Sequence, residues 1–352
     1  MKKIILSAFA ACALFAQSCT DHDVLPQVPM PQAQKALILT EGTFQNSESK
    51  LISVSLDSFN VNTDAFGAAN NGAPLGNLGN DMLKYGSKIY IALNFSKKVA
   101  VIDAKTLRLL SRIDMSSNAA GSDPRYLASA NGNVYVSCQN NKVAIIDTTT
   151  FVVKGSISVG QNPEQMAVAN NKLFVANSGG FNYPNYDSTV SVIDLASNTV
   201  VQKITAGINP ALAYADGNAV FIGCYGNYVN IKPRIVRIDA TTNIITNRID
   251  SAAGKMAIAN NKLLVATGYA GGNLVSAYNP QNLALISRNF ITDNSSLSSP
   301  YGIGYEPVYN NVWVLDAMNF TSSGVARVYN AAGAKKRDIN LGAANPNTVI
   351  FY

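Results

Sequence analysis

The sequence predicts an all-β fold, a seven-bladed β-propeller of four-stranded blades, and three observations favour this class. Short runs of β-forming residues alternate with turn residues from residue 36 to the end. An Ile-Asp pair recurs with spacings of 44, 47 and 45 residues, at Asp103, Asp147, Asp194 and Asp239. An apolar run such as Val134-Tyr135-Val136 precedes each pair. Units of about 40–45 residues with four strands are typical of propeller blades.

The clearest copy of the unit lies between Ser188 and Pro210. Thr189 to Asp194 is rich in β-branched residues and predicts one strand, and Thr199 to Ile204 predicts the next. Ser197-Asn198 supplies the turn between them, and Gly207 to Pro210 interrupts the chain again. A two-stranded hairpin is marginally stable alone, so this one needs neighbouring strands to cover it.

Seven copies of the apolar run can be counted, from Leu37-Ile38-Leu39 to Val312-Trp313-Val314. The chain enters the repeats near Ala36 with what resembles a second strand, and it ends at Pro346 to Tyr352 with what resembles a first strand. The C-terminal strand is therefore expected to complete the N-terminal blade, which leaves no open sheet edge in the ring.

The first 35 residues predict a targeting signal followed by a tether. Residues 1–18 are expected to be a lipoprotein signal peptide, with Lys2-Lys3 before an apolar stretch and Ala16-Gln17-Ser18-Cys19 resembling a lipobox. Lipidation of Cys19 follows from this interpretation; an ordinary signal peptide with a chance cysteine is the alternative. Residues 19–35 form a Pro/Gln-rich surface tether. We expect an outer-membrane, surface-exposed protein that contacts the membrane through its lipid anchor only.

Composition narrows the possible functions of the predicted propeller, residues 36–352. Hydrophobic residues make up 47% of the chain and charged residues 14%, which suits a large packed core. The net charge is +6, but the basic residues are scattered, so nucleic acid is not expected as a partner. Cys138 and Cys224 end equivalent strands in different copies, and we expect both to be buried free thiols.

The loops of a propeller divide between two faces because the strands of each blade alternate in direction. One predicted face has tight turns such as Asn131-Gly132, for which a structural role suffices. The other face has longer, aromatic loops that favour ligand binding, although packing between blades is an alternative for any single residue. Its candidate ligand-binding residues are Glu41, Phe44, Phe95, Arg125, Tyr126, Glu164, Gln165, Tyr183, Tyr186, Tyr225, Tyr228, Tyr269, Tyr301, Asp316 and Phe320.

Catalytic motifs are not found. The single histidine, His22, lies in the tether, so the predicted propeller offers no histidine base and no histidine metal ligand. Carboxylates of the aromatic face could in principle serve as an acid/base pair, but they belong to separate copies and Arg125 is a ready ion-pair partner. We therefore expect that the protein has no catalytic residues and no metal site and is not an enzyme.

Two resemblances add to this reading. The segment Asn171 to Asn177 and the hairpin after it closely resemble the YVTN-type propeller repeat. The loop motifs Glu41-Gly42-x-Phe44-Gln45, Pro124-Arg125-Tyr126, Glu164-Gln165-Met166, Tyr301-Gly302 and Asp316-Ala317-x-x-Phe320 resemble those of BtuG-type cobalamin-capturing surface lipoproteins of Bacteroidetes. Asn319-Phe320 departs from the Asp-Tyr of that group.

The second resemblance implies a function. Such a protein captures cobalamin or a related corrinoid on its exposed face and passes it to a TonB-dependent outer-membrane transporter. Cobalamin would then be a bound ligand, and no catalytic cofactor is expected. Two alternatives stay open: a surface scaffold that binds protein or glycan, and a propeller hydrolase or lactonase.

Overall fold

The computed structural model describes residues 34–43, 46, 48–116, 120–250, 253–268, 272–293 and 295–352. The predicted signal peptide, Cys19, and the tether up to residue 33 lie outside the described residues. So do the candidate ligand-binding residues Phe44 and Tyr269. Ala33–Tyr352 forms one compact unit.

The described chain forms seven antiparallel sheets of four strands, and this confirms the predicted all-β, seven-bladed propeller. Blade 1 contains β1 (Lys35–Thr40), β2 (Leu51–Ser55), β3 (Val61–Asn62) and β28 (Pro346–Phe351). Blade 2 contains β4 (Gly79–Tyr85), β5 (Lys88–Leu93), β6 (Lys98–Asp103) and β7 (Leu109–Asp114). Blade 3 contains β8 (Pro124–Ala130), β9 (Asn133–Cys138), β10 (Lys142–Asp147) and β11 (Val153–Ser158).

The remaining blades repeat the same arrangement. Blade 4 contains β12 (Pro163–Ala169), β13 (Lys172–Asn177), β14 (Thr189–Asp194) and β15 (Thr199–Thr205). Blade 5 contains β16 (Pro210–Asp216), β17 (Ala219–Cys224), β18 (Arg234–Asp239) and β19 (Ile244–Ile249). Blade 6 contains β20 (Lys255–Ala259), β21 (Lys262–Thr267), β22 (Leu274–Tyr278) and β23 (Leu285–Ser287). Blade 7 contains β24 (Pro300–Glu306), β25 (Asn311–Asp316), β26 (Val325–Asn330) and β27 (Lys335–Asn340). A short helix, α1 (Ala65–Ala69), joins blades 1 and 2.

The ring closes through the two ends of the chain, as the sequence predicts. The last strand, β28, pairs antiparallel with β1, and Ile38 lies opposite Val349. The Tyr352 carbonyl accepts hydrogen bonds from the amides of Gln34 and Lys35 at 2.9 and 3.0 Å. Blade 1 thus takes its inner strand, β28, from the C-terminal part of the chain and its other three strands from the N-terminal part.

The core lies between the blades. Seven clusters of buried apolar side chains are present, and each joins two neighbouring blades. Every residue of the second strand β9 is buried, whereas the outer strand β19 alternates between exposed and half-buried residues. Second strands are covered on both faces, which explains why they read as continuous apolar runs. Cys138 and Cys224 are buried free thiols, as predicted, and burial raises the pKa of each to about 12.

The face opposite the aromatic loops is built from repeated tight turns. The recurring aspartates close these turns by accepting hydrogen bonds from backbone and hydroxyl groups two or three residues ahead, as Asp194 does from the Ser197 amide at 2.8 Å and its hydroxyl at 2.9 Å. Asp147 binds Thr150 in the same way, at 2.9 and 3.2 Å. Asparagines such as Asn131 and Asn198 take up positive φ in the turns of this face, which their short side chains tolerate. These residues serve the fold.

Candidate ligand-binding site

The site is organised by a distortion at the start of the inner strands. In β4, β8, β12, β16, β24 and β28 the register with the second strand shifts within the first few residues. A β-bulge leaves residues unpaired and can re-aim a side chain toward a site. The residues at the equivalent unpaired position are Asn80, Arg125, Glu164, Ala211, Tyr301 and Asn347. In blade 6 the register instead runs unbroken from Lys255, and Gly254 precedes it at the corresponding place.

These strand ends surround a cavity of about 480 Å³ at the mouth of the propeller. Nine of the predicted ligand-binding residues line it: Glu41, Arg125, Tyr126, Glu164, Tyr186, Tyr225, Tyr228, Tyr301 and Phe320. Residues that the loop motifs did not single out also line it, among them Asn209, Lys255 and Asn347. A volume of this size accommodates a small organic molecule or one side of a larger one.

A chain of hydrogen bonds holds the Glu41 side of the cavity rigid. The Glu41 carboxylate accepts from the Tyr301 hydroxyl at 3.0 Å, from Asn347 Nδ2 at 2.8 Å and from Asn80 Nδ2 at 3.4 Å. Asn80 Oδ1 in turn accepts from Arg125 Nη1 at 2.9 Å. The network joins blades 7, 1, 2 and 3, so the Glu41 carboxylate is placed by residues far apart in the chain.

Arg125 ends this network in an ion pair with Glu164, at 2.8 Å between Nη2 and Oε2. The two side chains are only 20% and 12% exposed, so water screens the pair weakly. Burial raises the pKa of Glu164, and the neighbouring Arg125 charge offsets part of that rise. The attraction of Glu164 outweighs the burial of Arg125 and leaves the pKa of the guanidinium above its ordinary value. The guanidinium is therefore a permanent charge of the site.

Aromatic rings form a second part of the cavity lining. Tyr225 and Tyr228 are stacked, with ring centroids 6.3 Å apart and an interplanar angle of 26°. Tyr186 meets Tyr228 edge to face at 6.1 Å, and Tyr301 meets Phe320 in the same way at 5.6 Å. Such rings give flat contact area and lose little conformational entropy on binding. The loop that carries Tyr225 and Tyr228 requires glycine at Gly226, because φ is +71° and an added Cβ would lie 2.0 Å from the Ile231 carbonyl oxygen.

Lys255 is the charged residue of the cavity that the loop motifs missed. Its Nζ lies 5.1 Å from the centroid of the Tyr126 ring. Burial lowers the pKa of the Lys255 ammonium, while the carboxylates of Asp81, Glu41 and Glu164 act in the opposite direction. Asp81 accepts from the Leu127 amide at 2.9 Å, and burial raises its pKa to about 6. Lys255 precedes Met256 as Tyr126 precedes Leu127, so alignment of the inner strands could have found it.

Four predicted residues lie elsewhere. Phe95 and Tyr183 are 54% and 67% exposed and do not line the cavity, although Tyr183 touches Tyr186. Gln165 joins blades 4 and 5 by accepting from the Ala213 amide at 3.2 Å. Asp316 is fully buried and pairs with Arg327 at 2.9 Å. Gln165 and Asp316 thus hold strands and loops together, and Phe95 and Tyr183 stand on the rim.

The described part of the chain has neither a metal-binding cluster nor a membrane-spanning helix. No group of three or more His, Cys, Asp or Glu side chains there is arranged to hold a metal ion. None of the helices within that part is long and apolar enough to cross a membrane.

Comparison with known proteins identifies a family and a fold. The family described as "Domain of unknown function (DUF5074)" matches residues 35–352. No curated protein matches the chain. A quinonprotein alcohol dehydrogenase-like protein from Bacteroides thetaiotaomicron VPI-5482 is similar in structure, with a TM-score of 0.64, 15% identity, and 91% of this chain and 78% of that chain covered.

Two other solved structures are similar to the chain over most of its length. A chain of the mitotic checkpoint complex has a TM-score of 0.59 and 13% identity, with 88% of this chain and 95% of that chain covered. Hydrazine synthase from Kuenenia stuttgartiensis has a TM-score of 0.53 and 14% identity, with 71% and 76% covered. At these identities the likeness concerns the fold alone, because propellers support many unrelated functions.

Proposed function

Because the chain belongs to the DUF5074 family over its whole propeller, we propose that it is a binding protein that takes up a small organic ligand in the cavity at the aromatic face. One observation carries the proposal. The cavity of about 480 Å³ combines a wall of tyrosines with a polar wall whose groups are already held in place. Apolar walls with a few fixed polar groups are the usual composition of a ligand site.

We propose binding rather than catalysis because of how the carboxylates are engaged. Glu41 accepts from three side-chain donors, and Glu164 is held by Arg125. A general base needs a carboxylate within reach of a substrate proton. Carboxylates already bound by protein donors suit the fixing of a ligand better than the transfer of a proton.

The ligand that we propose is cobalamin or a related corrinoid. All five loop motifs that resemble those of corrinoid-capturing lipoproteins contribute residues to the cavity, namely Glu41, Arg125, Tyr126, Glu164, Tyr301 and Phe320. A corrinoid is broad, carries amide groups around its rim and brings its own metal. Aromatic walls, amide side chains such as Asn209, and the absence of a required metal ligand are compatible with that chemistry.

The proposal includes a place and a partner. The predicted leader places the protein at the outer-membrane surface on a lipid attached to Cys19. A TonB-dependent transporter would then receive the ligand. This part rests on the lipobox-like residues and on the loop motifs.

A surface scaffold is the second candidate, and the rim of the cavity favours it. Phe181, Tyr183 and Val229 are 72%, 67% and 78% exposed on neighbouring loops. Exposed aromatic and apolar groups on a rigid scaffold are typical of protein-binding surfaces. In this case the loops would bind a protein or glycan and the cavity would have no small ligand.

Isothermal titration of the purified protein with cyanocobalamin tests the first candidate. We expect saturable heat and a red protein after gel filtration. Absence of both would exclude corrinoid capture. Affinity capture of the lipidated protein from membranes tests the second candidate. Recovery of a TonB-dependent transporter with corrinoid supports delivery, and recovery of a transporter without any corrinoid supports the scaffold.

A further inference from the structure

The polar wall of the cavity is interrupted at two neighbouring blades. At the equivalent position of the inner strands, five consecutive blades carry large polar side chains: Tyr301, Asn347, Asn80, Arg125 and Glu164. Blades 5 and 6 carry Ala211 and Gly254, and both line the cavity. The ring of large polar side chains therefore has a gap at blades 5 and 6, where Tyr225 and Tyr228 also line the cavity. At Gly254 the backbone is closely packed, since an added Cβ would lie 2.0 Å from the Ala266 carbonyl oxygen.

Lys255 lies at this gap without a direct polar partner. Among the described residues its Nζ makes no hydrogen bond and no ion pair; its close neighbour is the Tyr126 ring at 5.1 Å. The three carboxylates that face it are engaged elsewhere: Glu41 with Asn347, Glu164 with Arg125, and Asp81 with the Leu127 amide. An ammonium has three hydrogen-bond donors, and Lys255 is half-buried on the wall of the cavity, where an acceptor of a ligand can meet them.

Asn347 holds the Glu41 carboxylate in place. Its Nδ2 donates to Glu41 Oε1 and to the Gly79 carbonyl, both at 2.8 Å, and to the Asn80 carbonyl at 3.2 Å. Since these partners are acceptors, the orientation of the amide is fixed. Its Oδ1 has no partner and is itself enclosed, although the residue, which is 4% exposed, borders the cavity. Asn347 therefore fixes the Glu41 carboxylate and leaves Lys255 as the side chain whose donors remain for a ligand.

We propose that Lys255 is the specificity-determining residue of the cavity and donates hydrogen bonds to an uncharged acceptor oxygen of the ligand, a carboxamide carbonyl. This inference rests on the proposed binding of a small ligand at this site, but not on that ligand being a corrinoid. It gives the cavity a ligand class: neutral molecules that carry carboxamide groups.

The charges around Lys255 decide between a neutral and an anionic ligand. Asp81, Glu41 and Glu164 face Lys255, and Arg125 is the other nearby cation. Three carboxylates against two cations leave the region net negative by one charge. A ligand carboxylate or phosphate would be repelled by the three acidic groups, whereas a carbonyl oxygen accepts from the ammonium without adding charge.

The first test compares variants of Lys255 by titration with cyanocobalamin. Lys255→Met keeps the length of the side chain and removes its donors. We expect binding to weaken by about tenfold or more, as for a lost hydrogen bond to a charged group. The control is Lys336→Met, on the exposed outer strand β27, for which wild-type affinity is expected. Wild-type affinity in a folded Lys255→Met protein would overturn the proposal.

The second test uses the unmodified protein, so it does not depend on the folding of a variant. Protein labelled with ¹³C at the lysine ε carbons is titrated with succinamide and, separately, with succinate at equal concentration. We expect succinamide to shift the Lys255 resonance and succinate to leave it in place. A shift with succinate alone, or with neither compound, would refute the carboxamide site. If cyanocobalamin fails to bind but succinamide shifts Lys255, the corrinoid assignment falls and the carboxamide site stands.

Discussion

The two faces of the propeller use carboxylates in opposite ways. On the turn face, Asp147 and Asp194 accept hydrogen bonds from the residues just ahead of them, and these bonds lower the pKa of each aspartate. On the cavity face, burial raises the pKa of Asp81 and of Glu164. All four side chains belong to half-buried residues, but the first pair is bound by its own turn, whereas the second is bound by residues of other blades. The folded structure therefore shifts the pKa values of the two pairs of carboxylates in opposite directions.

This difference shows where information about function lies in a repeat protein. The turn aspartates stand at the same place in four blades because each blade needs the same turn. At the start of the inner strands the seven blades carry six different residue types: Asn80, Arg125, Glu164, Ala211, Gly254, Tyr301 and Asn347. A position that the repeated fold does not constrain can differ between blades, and its side chains can then be selected for contact with a ligand.

The largest predicted effect concerns Asp316, an acidic residue of the cavity face that behaves as scaffold. It is fully buried, pairs with Arg327 at 2.9 Å and accepts from the Ser299 amide at 2.8 Å. We expect Asp316→Ala to lower the free energy of unfolding by about 3–5 kcal/mol, because Arg327 loses its buried partner and the amides of Ser298, Ser299 and Met318 lose their acceptor. Asp338→Ala is the matched control. It removes the exposed partner of the same arginine, and we expect a loss of about 1 kcal/mol or less by denaturant titration. Equal losses would contradict the argument.

Sequence periodicity predicted the fold well, for a physical reason. Each blade must bury two faces of its second strand and must turn after its third, so the apolar runs and the Ile-Asp pairs recur visibly. The closure of blade 1 by β28 followed from counting strands. The short helix α1 was not predicted, since five residues leave no periodic signal.

The site could be predicted only in part. Aromatic loop residues such as Tyr225 and Tyr228 stand out in composition, and the structure brings them to the cavity. Lys255 did not stand out, because its strand contains ordinary core residues and no aromatic loop marks it. Gln165 and Phe95 satisfy the same loop pattern but lie outside the cavity. The pattern predicts on which face of the propeller a residue lies, but not where its side chain points.

The second prediction uses pH to separate the two faces. The folded pKa of Asp81 is raised from 3.8 to about 6, so its protonated form stabilises the fold, and that stability is lost as pH rises from about 4 through 6. The loss amounts to about 3 kcal/mol. Asp81→Asn should remove this part of the dependence in urea titrations at pH 4.5 and 7.

Part of the pH dependence of stability is expected to remain in the Asp81→Asn variant. The contribution of Glu164, whose pKa is also raised, stays in the Asp81→Asn variant. Asp194→Asn is the contrast. Its folded pKa is lowered, so its contribution is present above the ordinary pKa and is lost as pH falls. A variant Asp81→Asn with the wild-type pH profile would show that this carboxylate is not enclosed.

The third prediction compares two tyrosines of the aromatic wall. Tyr228 lines the cavity and stacks on Tyr225, whereas Tyr183 stands outside it. Both are more than 60% exposed, at 63% and 67%, so neither alanine variant should change the melting temperature much. With cyanocobalamin we expect Tyr228→Ala to weaken binding by about 1 kcal/mol, or about fivefold, and Tyr183→Ala to leave it unchanged. The reverse order would place the ligand on the rim.

The smallest effect is expected on the turn face. Asp194→Ala removes the acceptor for the Ser197 amide and hydroxyl, and we expect a slight fall in melting temperature with unchanged affinity for cyanocobalamin. The same change at Asp239, in another blade, should add to it, because turns that share no partners contribute independently.

Glu41→Gln and Asn80→Ala, on the cavity face, alter two residues that share a hydrogen bond, so their effects on the free energy of unfolding should not add. Thermal denaturation of the single and double variants measures this contrast. Additive effects at both pairs would remove the distinction between a face of independent turns and a face of connected residues.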